Sequence, residues 1–400
     1  MNRDIAAESN RLAMIRLCHI ALDSQTLRTR LLQRLRTIIP FDYAYFSTTD
    51  PATQFATSSV LVEEPPAWCM SVFLENEFLQ EDFNKFRDML RHRQTVGMLS
   101  EATGHDLPRS QRYREMLAPM AMDDELRVIF VTNSACWGTL CLHRGQTRRG
   151  QSQSGYTPSE AAYLAHLAPH IADGLRKALL LGNAPSGKLP DGPGVLILSE
   201  DLSIVATTVA AEHWLMELTE AEAGDKSVLP RPVRSVIAGL EAIERGLVAT
   251  NRTPKVRLLT RSGQWLALYA SRLRSSDSQA QISVMFEIAR PAEIAPLIMQ
   301  AYQLTKREGD IAQCALLGWS TTAIAANLHI SSNTVQDHLK AIFAKVEVGS
   351  RGELAARIFT QQYLSQLQVD AAVDSSGQFT APNHPSTWAR TQTSHLSQNG

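Results

Sequence analysis

A chain of 400 residues, 44% hydrophobic and 20% charged, is long enough for two or three packed units, each able to bury a core without staples. Its formal net charge of −1 excludes a protein that holds nucleic acid by bulk charge, so any such role must rest on local patterning. Cys18, Cys69, Cys136, Cys141 and Cys314 show no CxxC spacing, which speaks against a disulfide framework and for reduced thiols in a cytosolic compartment.

From about Ile5 to Ile39 the apolar residues Leu12, Ile15, Leu22, Leu27, Leu31, Leu35 and Ile38 fall at helical intervals, and Pro40 ends that pattern. The residues before Asn10 precede no apolar signal core, and no stretch approaches the ~20 apolar residues that span a bilayer. A cytoplasmic location is expected. Phe41–Thr48 and Thr57–Val62 predict strands, Trp68–Phe78 and Arg109–Ala118 helices, and Arg127–Thr132 with Gly138–His143 a strand pair. A basic loop follows, holding Arg144, Arg148, Arg149 and Gly150. Pro158 then opens a helix that Pro169 should bend. Leu164, Ala168, Ile171, Leu175 and Leu179 make one stripe on it, either ordinary core or a seam for a partner helix, with the seam preferred.

Asn183–Gly194 is rich in Gly and Pro and predicts a linker. A second α/β unit follows: strands at Val195–Leu198 and Ile204–Ala206, helices at Val209–Leu218 and Val233–Leu247, then strands at Lys255–Thr260, Trp265–Leu273 and Gln281–Ile288. Pro291–Tyr302 is a short helical connector. Residues 366–400 turn to Ser, Thr, Gln, Asn and Pro, the composition of a disordered tail.

The segment from Leu304 carries the strongest signal. Thr305 and Glu308 have capping-box spacing, and the helix they open should run to Leu317 and stop at Gly318. Ser320 can cap a second helix with Ile324, Ala325 and Leu328 inward. His329 and Ile330 make a tight connection, and Ser331 caps a third helix over about Ser332–Val346. There Val335, Leu339, Ile342 and Val346 recur at +4, +3 and +4 and face a core. Asn333, Asp337, Lys340 and Ala344 lie opposite, with Gln336 on the flank. Ser350 to Glu353 is a second capping box, leading to Leu354, Ile358 and Phe359.

Two helices joined tightly, the second exposing hydrogen-bonding groups, suit insertion into the major groove, whose base edges form a readable donor–acceptor code. Gln336 and Asn333 can pair with adenine, Asp337 can accept from a cytosine amine, and Lys340 can reach guanine or phosphate. Lys345 and Arg351 are placed for phosphate, with Ser332 and Thr334 at the helix start. A small structural domain whose polar face is merely solvated has the same periodicity, and cations and anions in this segment nearly cancel.

The residues Leu304-Thr305-Lys306-Arg307-Glu308, Gly318-Trp319-Ser320, Ile324-Ala325, Ile330-Ser331 and Thr334-Val335 resemble the LuxR/GerE-type helix-turn-helix. His338, Ile342, Lys345, Val348 and Arg351 continue the pattern at the family's spacing. The resemblance covers about fifty-five residues. It implies a four-helix DNA-binding domain that dimerises through its last helix, with Gln336, Asp337 and Lys340 facing bases or nearby phosphates. The family often has Glu, a charged residue, and Lys or Arg where this chain has Ala323, Gly309 and Gln336.

The earlier part resembles known sensory modules more loosely. Gly138–His143, the loop, Tyr156-Thr157-Pro158-Ser159-Glu160 and the helix through Leu179 look like the end of a GAF-type domain. Gly194–Leu198, Ser199-Glu200-Asp201 and the helix around Trp214 are similar to the start of a PAS-type domain. Thr207 and Thr208 stand where PAS domains often carry Asn. A pocket that senses a metabolite and an unliganded dimerisation module explain these residues equally well, so no cofactor is assigned beyond an unknown small-molecule effector.

Other clusters read as structural. His166 and His170 are i and i+4, a spacing that can hold a metal, but Pro169 disturbs the geometry and a packed or solvated pair is the better reading. Cys136 and Cys141 read as buried apolar packing. The arginines at 144, 148 and 149 read as a solvated loop rather than an anion patch. No catalytic cluster, phosphate-cradling glycine loop or metal site is found.

The expected fold class is multidomain α+β: GAF-like and PAS-like sensory domains, then an all-α four-helix LuxR-type helix-turn-helix domain. The boundaries are a GAF-like domain at 1–183, a PAS-like domain at 190–290, a connector helix at 291–303, the helix-turn-helix at 304–362 and the tail at 366–400. The expected function is sequence-specific transcriptional regulation under sensory control, without enzyme activity. The expected partners are double-stranded DNA, a second copy of the chain and RNA polymerase, with no membrane. A sensory enzyme or an interaction scaffold with a helix-turn-helix tail is the alternative.

Overall fold

The computed structural model describes residues 2–145, 155–181, 189–190, 192–218, 229–248, 253–274 and 280–360. Arg148, Arg149, Gly150, most of the 183–194 linker and the whole 366–400 tail lie outside the described residues.

The chain opens with α1 (Asn2–His19) and α2 (Ser24–Leu35). The single helical run expected over 5–39 is therefore two helices. The Asp23 carboxylate accepts the Thr26 N–H at 2.9 Å and starts a new helix after the break. Met14 and Cys18 before the break and Leu27 and Leu31 after it are buried in the same core, whereas Leu12 of the expected stripe is 46% exposed.

Next come β1 (Tyr43–Thr49), β2 (Ala56–Val62), α3 (Ala67–Leu79), α4 (Phe86–His92), β3 (Val96–Met98) and α5 (Leu99–Ala102). The elements α4, β3 and α5 are too short to set up a readable period. The helix expected over 109–118 is replaced by a 3-10 turn at Leu107–Arg109 and a π-type turn at Tyr113–Leu117. Then β4 (Asp124–Thr132) and β5 (Ala135–Arg144) form a hairpin, and α6 (Pro158–Leu180) starts at a reciprocal Thr157–Glu160 capping box. The five strands make one antiparallel sheet in the order β2-β1-β5-β4-β3.

α6 lies across β4 and β5, and α1 packs along its other side. Leu164, Ala168, Ile171 and Leu175 are between 0% and 3% exposed. The partner-helix seam preferred for this stripe is therefore corrected: the chain's own sheet and first helix cover it. The helix runs through Pro169 without interruption.

The second unit consists of β6 (Gly194–Leu198), β7 (Ile204–Thr207), α7 (Val209–Leu218), α8 (Arg231–Glu244), β8 (Lys255–Leu259), β9 (Trp265–Leu273) and β10 (Gln281–Ile288). Its antiparallel sheet has the order β7-β6-β10-β9-β8, the same relative order as the first. One face packs with α7 and α8 around Trp214, Val236, Leu258 and Leu268. From β9, Trp265 and Ala267 instead join the core cluster of the first unit and of α9 (Pro291–Ala301).

The two units interlock. Phe55, from the β1–β2 turn, is buried in the second unit's core beside Phe78, and Gly239 of α8 leaves the room its ring occupies. Asp50, with a fully buried side chain, takes the Arg257 Nη2 at 2.6 Å, its Nε at 2.9 Å and its backbone N–H at 3.0 Å. Burying this pair is tolerable because the carboxylate is met on both oxygens.

α9 leads to α10 (Lys306–Leu316), α11 (Thr321–Leu328), α12 (Ser332–Val346) and α13 (Arg351–Ala355), which a π-type turn extends through Ala356–Thr360. The C-terminal end of α9 is tied back to α6: the Arg176 guanidinium donates to the Ala301 carbonyl. Among the described residues no helix is long and apolar enough to cross a membrane.

Candidate nucleic-acid interface

Local chemistry sets the ends of each helix in the last domain. Thr305 N–H donates to Glu308 Oε2 at 2.7 Å, while Glu308 N–H donates to Thr305 Oγ1 at 3.3 Å, closing the capping box. Gly318, at φ +79°, supplies the left-handed residue that turns the chain out of α10. Ser320 Oγ accepts from Ala323 N–H at 3.1 Å and starts α11. His329 takes φ +54° at the end of α11, and Ser331 Oγ accepts from Thr334 N–H at 3.0 Å to start α12. At α13 the expected box opens: Ser350 Oγ accepts from Glu353 N–H at 3.1 Å, but the Glu353 carboxylate reaches Gly349 N–H at 2.8 Å instead of closing on Ser350 N–H.

α12 divides as its spacing requires. Val335, Ile342 and Val346 are 0% exposed and Leu339 is 6% exposed. Asn333, Thr334, Gln336, Asp337, Lys340 and Ala344 are exposed, and Ser332 is half-buried at the helix start. Lys340 Nζ stands 3.2 Å from Asp337 Oδ1, with both side chains more than three-quarters open to solvent (77% and 76%). In water such a pair is weak and readily exchanged for another partner.

Lys345 and Arg351, expected at phosphate, make hydrogen bonds within the domain, Lys345 from an exposed position and Arg351 from a half-buried one. Lys345 Nζ lies 2.6 Å from Glu308 Oε2 and donates to the Gln303 carbonyl at 3.2 Å. Burial pushes the Glu308 carboxyl up, but the Lys345 and Thr305 hydrogen bonds outweigh this and hold it below its ordinary range. Arg351 Nη1 donates to the Trp319 carbonyl at 2.6 Å and Nη2 to Thr321 Oγ1 at 2.7 Å, tying α13 to the start of α11. Arg307 Nη2 likewise closes the end of α11 on the Leu328 carbonyl at 2.8 Å. These partners are 21 to 42 positions away, out of reach of any local pattern.

Outside this domain the sequence reading missed a buried ionic network on the face of the first sheet away from α6. Arg112, Glu125 and Arg127 are each 0% exposed. Arg112 Nη2 lies 2.7 Å from Glu125, Arg127 Nε 3.0 Å from the same oxygen, and Arg127 Nη1 2.7 Å from Glu77. Burial raises the Glu125 carboxyl, yet the two guanidiniums bring it well below the usual carboxylate range. The alternation of Glu125, Arg127 and Ile129 on one strand face was the available signal.

Glu125, Cys141 and His143 bring one ligand atom each within 4.8 Å, a spacing that can suit a metal. The three groups already have other partners: Glu125 Oε2 is engaged by both arginines, its Oε1 lies 3.2 Å from His143 Nε2, and burial raises the Cys141 thiol. Cys136, similarly buried, is pushed up to about 11. His166 Nδ1 faces its own helix's Ala162 carbonyl at 2.8 Å, while His170 meets His19 edge-on, so the i, i+4 pair turns to different neighbours. Arg144 pairs with Glu160 at 2.6 Å and lies over the Tyr156 ring, so it is not a free loop cation.

With that geometry in place, residues 302–358 match the family model of the luxR family of bacterial regulatory proteins. They are a LuxR-type helix-turn-helix domain, and the chain joins it to a mixed α+β, sheet-rich N-terminal region. An HTH-type transcriptional regulator in the exeN 3′ region of Aeromonas salmonicida is 46% identical over 52 residues, 13% of this chain. The match spans about a quarter (26%) of that relative's length. The N-terminal region is similar to the GAF domain of the cyanobacteriochrome TePixJ: 16% identity, TM-score 0.31, covering 40% of this chain and 94% of that one. It is also similar to the VqsR LBD domain of Pseudomonas aeruginosa: 16% identity, TM-score 0.30, covering 44% and 98%.

Proposed function

We propose that the chain is a sequence-specific DNA-binding transcriptional regulator whose α12 enters the major groove. The observation that carries this reading is the division of α12. Its apolar edge is spent on the domain core, while Asn333, Gln336, Asp337 and Lys340 are exposed together on one solvent-facing side. Amide, carboxylate and ammonium groups on one exposed helix face have the donor and acceptor variety that base edges distinguish. A LuxR-type domain in the same place supports it.

In this reading Gln336 and Asn333 contact adenine, Asp337 accepts from cytosine, and Lys340 reaches guanine or phosphate. Ser332 and Thr334 approach the backbone at the helix start. Lys345 and Arg351 serve first to hold α12 and α13 in place, because their donors are engaged inside the domain. The regulator acts in the cytoplasm as a homodimer on double-stranded DNA, with RNA polymerase a further partner. Its units are a GAF-like domain over 1–183, a PAS-like domain over 190–290, a connector over 291–303 and the DNA-binding domain over 304–362.

The N-terminal units control the DNA-binding domain in this account. What supports that is the physical path: α9 is fixed at its start to the second unit, where Lys255 lies 2.9 Å from Glu293, and at its end to α6 by Arg176. Selection of bound sequences from a random duplex pool by the full chain tests the function. A recurring motif, lost with Asn333→Ala and Gln336→Ala, is expected. Recovery of no motif at low salt contradicts it.

A further inference from the structure

We propose that the cavity between the two α/β units is the effector site, and that it takes an uncharged, largely apolar small molecule. The cavity has a volume of about 1030 Å³. Small-molecule pockets span roughly 300–1,000 Å³, so it has room for a whole ligand rather than a fragment. One wall is the face of the first sheet away from α6, with Tyr45, Ser47 and Thr139, and beside it stands Phe73 of α3. The opposite wall is Ser235 and Ala242 of α8 with Tyr269 of β9. Neither unit encloses the space alone.

The charges in the walls define the ligand class. Asp50 is bound to Arg257, Glu77 to Arg127 at 2.7 Å and Lys255 to Glu293 at 2.9 Å; the remaining charged wall residue, Arg87, is exposed. An ionic ligand entering here would shed its hydration and meet charges already matched. Phenylalanines 55, 73, 78 and 86 supply apolar and aromatic surface instead. Ser47 Oγ and Thr139 Oγ1 are hydrogen-bonded to each other at 2.8 Å. Such a pair keeps one proton to donate and lone pairs to accept, enough to orient one polar group on an otherwise apolar molecule.

The same walls hold the start of α9. Tyr269 Oη donates to Glu293 Oε1 at 2.7 Å, Lys255 Nζ to the same oxygen, and Arg257 Nη1 to the Glu293 carbonyl at 2.7 Å. Glu293 Oε2 accepts the Arg290 N–H at 3.0 Å, closing the first turn of α9. At the far end Gln303 gives its carbonyl to Lys345 of α12. A ligand that shifts the α8–β9 wall against the first sheet therefore shifts a helix tied to the helix-turn-helix. Only this last step rests on the regulator reading; the binding site does not.

The test uses the full chain without DNA and the uncharged fluorophore N-phenyl-1-naphthylamine, with 8-anilino-1-naphthalenesulfonate as its anionic counterpart. The expected result is saturable binding of one neutral probe per chain, about tenfold tighter than the anionic one. Amide exchange should slow in Tyr43–Thr49 and Arg231–Glu244 and change in Pro291–Ala301. Ser235→Phe and Thr139→Phe fill the cavity from opposite walls, and either, if folded by circular dichroism, should weaken the neutral probe about tenfold. The site is overturned by no saturable binding to the wild type, by equal or tighter anionic binding, by protection confined to other segments, or by unchanged affinity in a folded filled variant. Unchanged exchange in Pro291–Ala301 overturns the coupling. A chain that passes these measurements but selects no DNA motif refutes the regulator reading and leaves the site standing.

Discussion

Lys345 Nζ lies 2.6 Å from Glu308 Oε2, so the end of α12 is fastened to the first turn of α10 by an ion pair that also completes a capping box. Glu308 is 6% exposed, and its carboxylate is met by an ammonium and by the Thr305 N–H. In the chain without DNA, this lysine, expected at phosphate, is paired within the domain.

The stability consequence separates Lys345 from Lys340. Lys345→Ala leaves a nearly buried carboxylate short of its cation and should lower urea-unfolding stability by about 1–2 kcal/mol. Lys340, exposed with only Asp337 beside it, should change stability by less than about 0.5 kcal/mol when replaced by Ala, while weakening binding to every duplex. Equal stabilities of the two variants would contradict the assignment.

Acid should loosen the domain through the same group. Both Glu308 and Glu293 have folded-state values below their ordinary 4.5, so each contributes stability that is complete above that value and is lost as the pH falls through the lowered one. Urea midpoints should therefore hold down to about pH 5 and then fall. Glu308→Gln should reduce the size of that fall; an unchanged acid limb would contradict the capping-box account.

Asp337 and Lys340 should separate in their effect on sequence choice. Asp337→Ala removes a carboxylate able to accept from a base-edge donor, so it should change which bases are tolerated at one position by about 1–3 kcal/mol. Lys340→Ala should weaken all sites and lower the salt slope of binding by about 1. Binding titrations on single-base operator variants at stated salt separate the two.

Gly239 should resist substitution. A side-chain carbon there would run into the Phe55 ring from the other unit. Gly239→Ala should therefore destabilise the chain by about 1–3 kcal/mol through overpacking, despite alanine's better helix propensity. Phe55→Ala, Gly239→Ala together should recover part of the loss. Additive losses would contradict the interlock.

Local chemistry was legible in the residues and distant chemistry was not. Thr305, Ser320 and Ser331 accept hydrogen bonds three residues ahead, and α12 begins and ends where the spacing of Val335, Leu339, Ile342 and Val346 placed it. The strands of the second unit were readable because one face is apolar and alternation survives, as in Leu196 and Leu198. β4 and β5 are buried on both faces, so the strand pair was recognised, but alternation with Ile129 was a weak sign that Glu125 and Arg127 were interior. Their partners, Arg112 and Glu77, lie 13 and 50 positions away. The stripe on α6 had the spacing of a helical seam, but spacing cannot tell a partner helix from the chain's own sheet. The partners of Lys345 and Arg351 were hidden for the same reason: a charged side chain near a helix end looks alike whether it faces phosphate or a carbonyl 32 residues away.

The most direct test replaces Asn333, Gln336, Asp337 and Lys340 together by alanine, leaving the buried edge of α12 and every cap intact. Fluorescence anisotropy then compares this chain with the wild type on the selected operator and on a scrambled duplex at the same salt. An operator affinity that falls to that of the scrambled duplex, with the thermal midpoint kept, is the predicted result. Undiminished preference for the operator in the folded variant would contradict the claim that this helix face reads DNA.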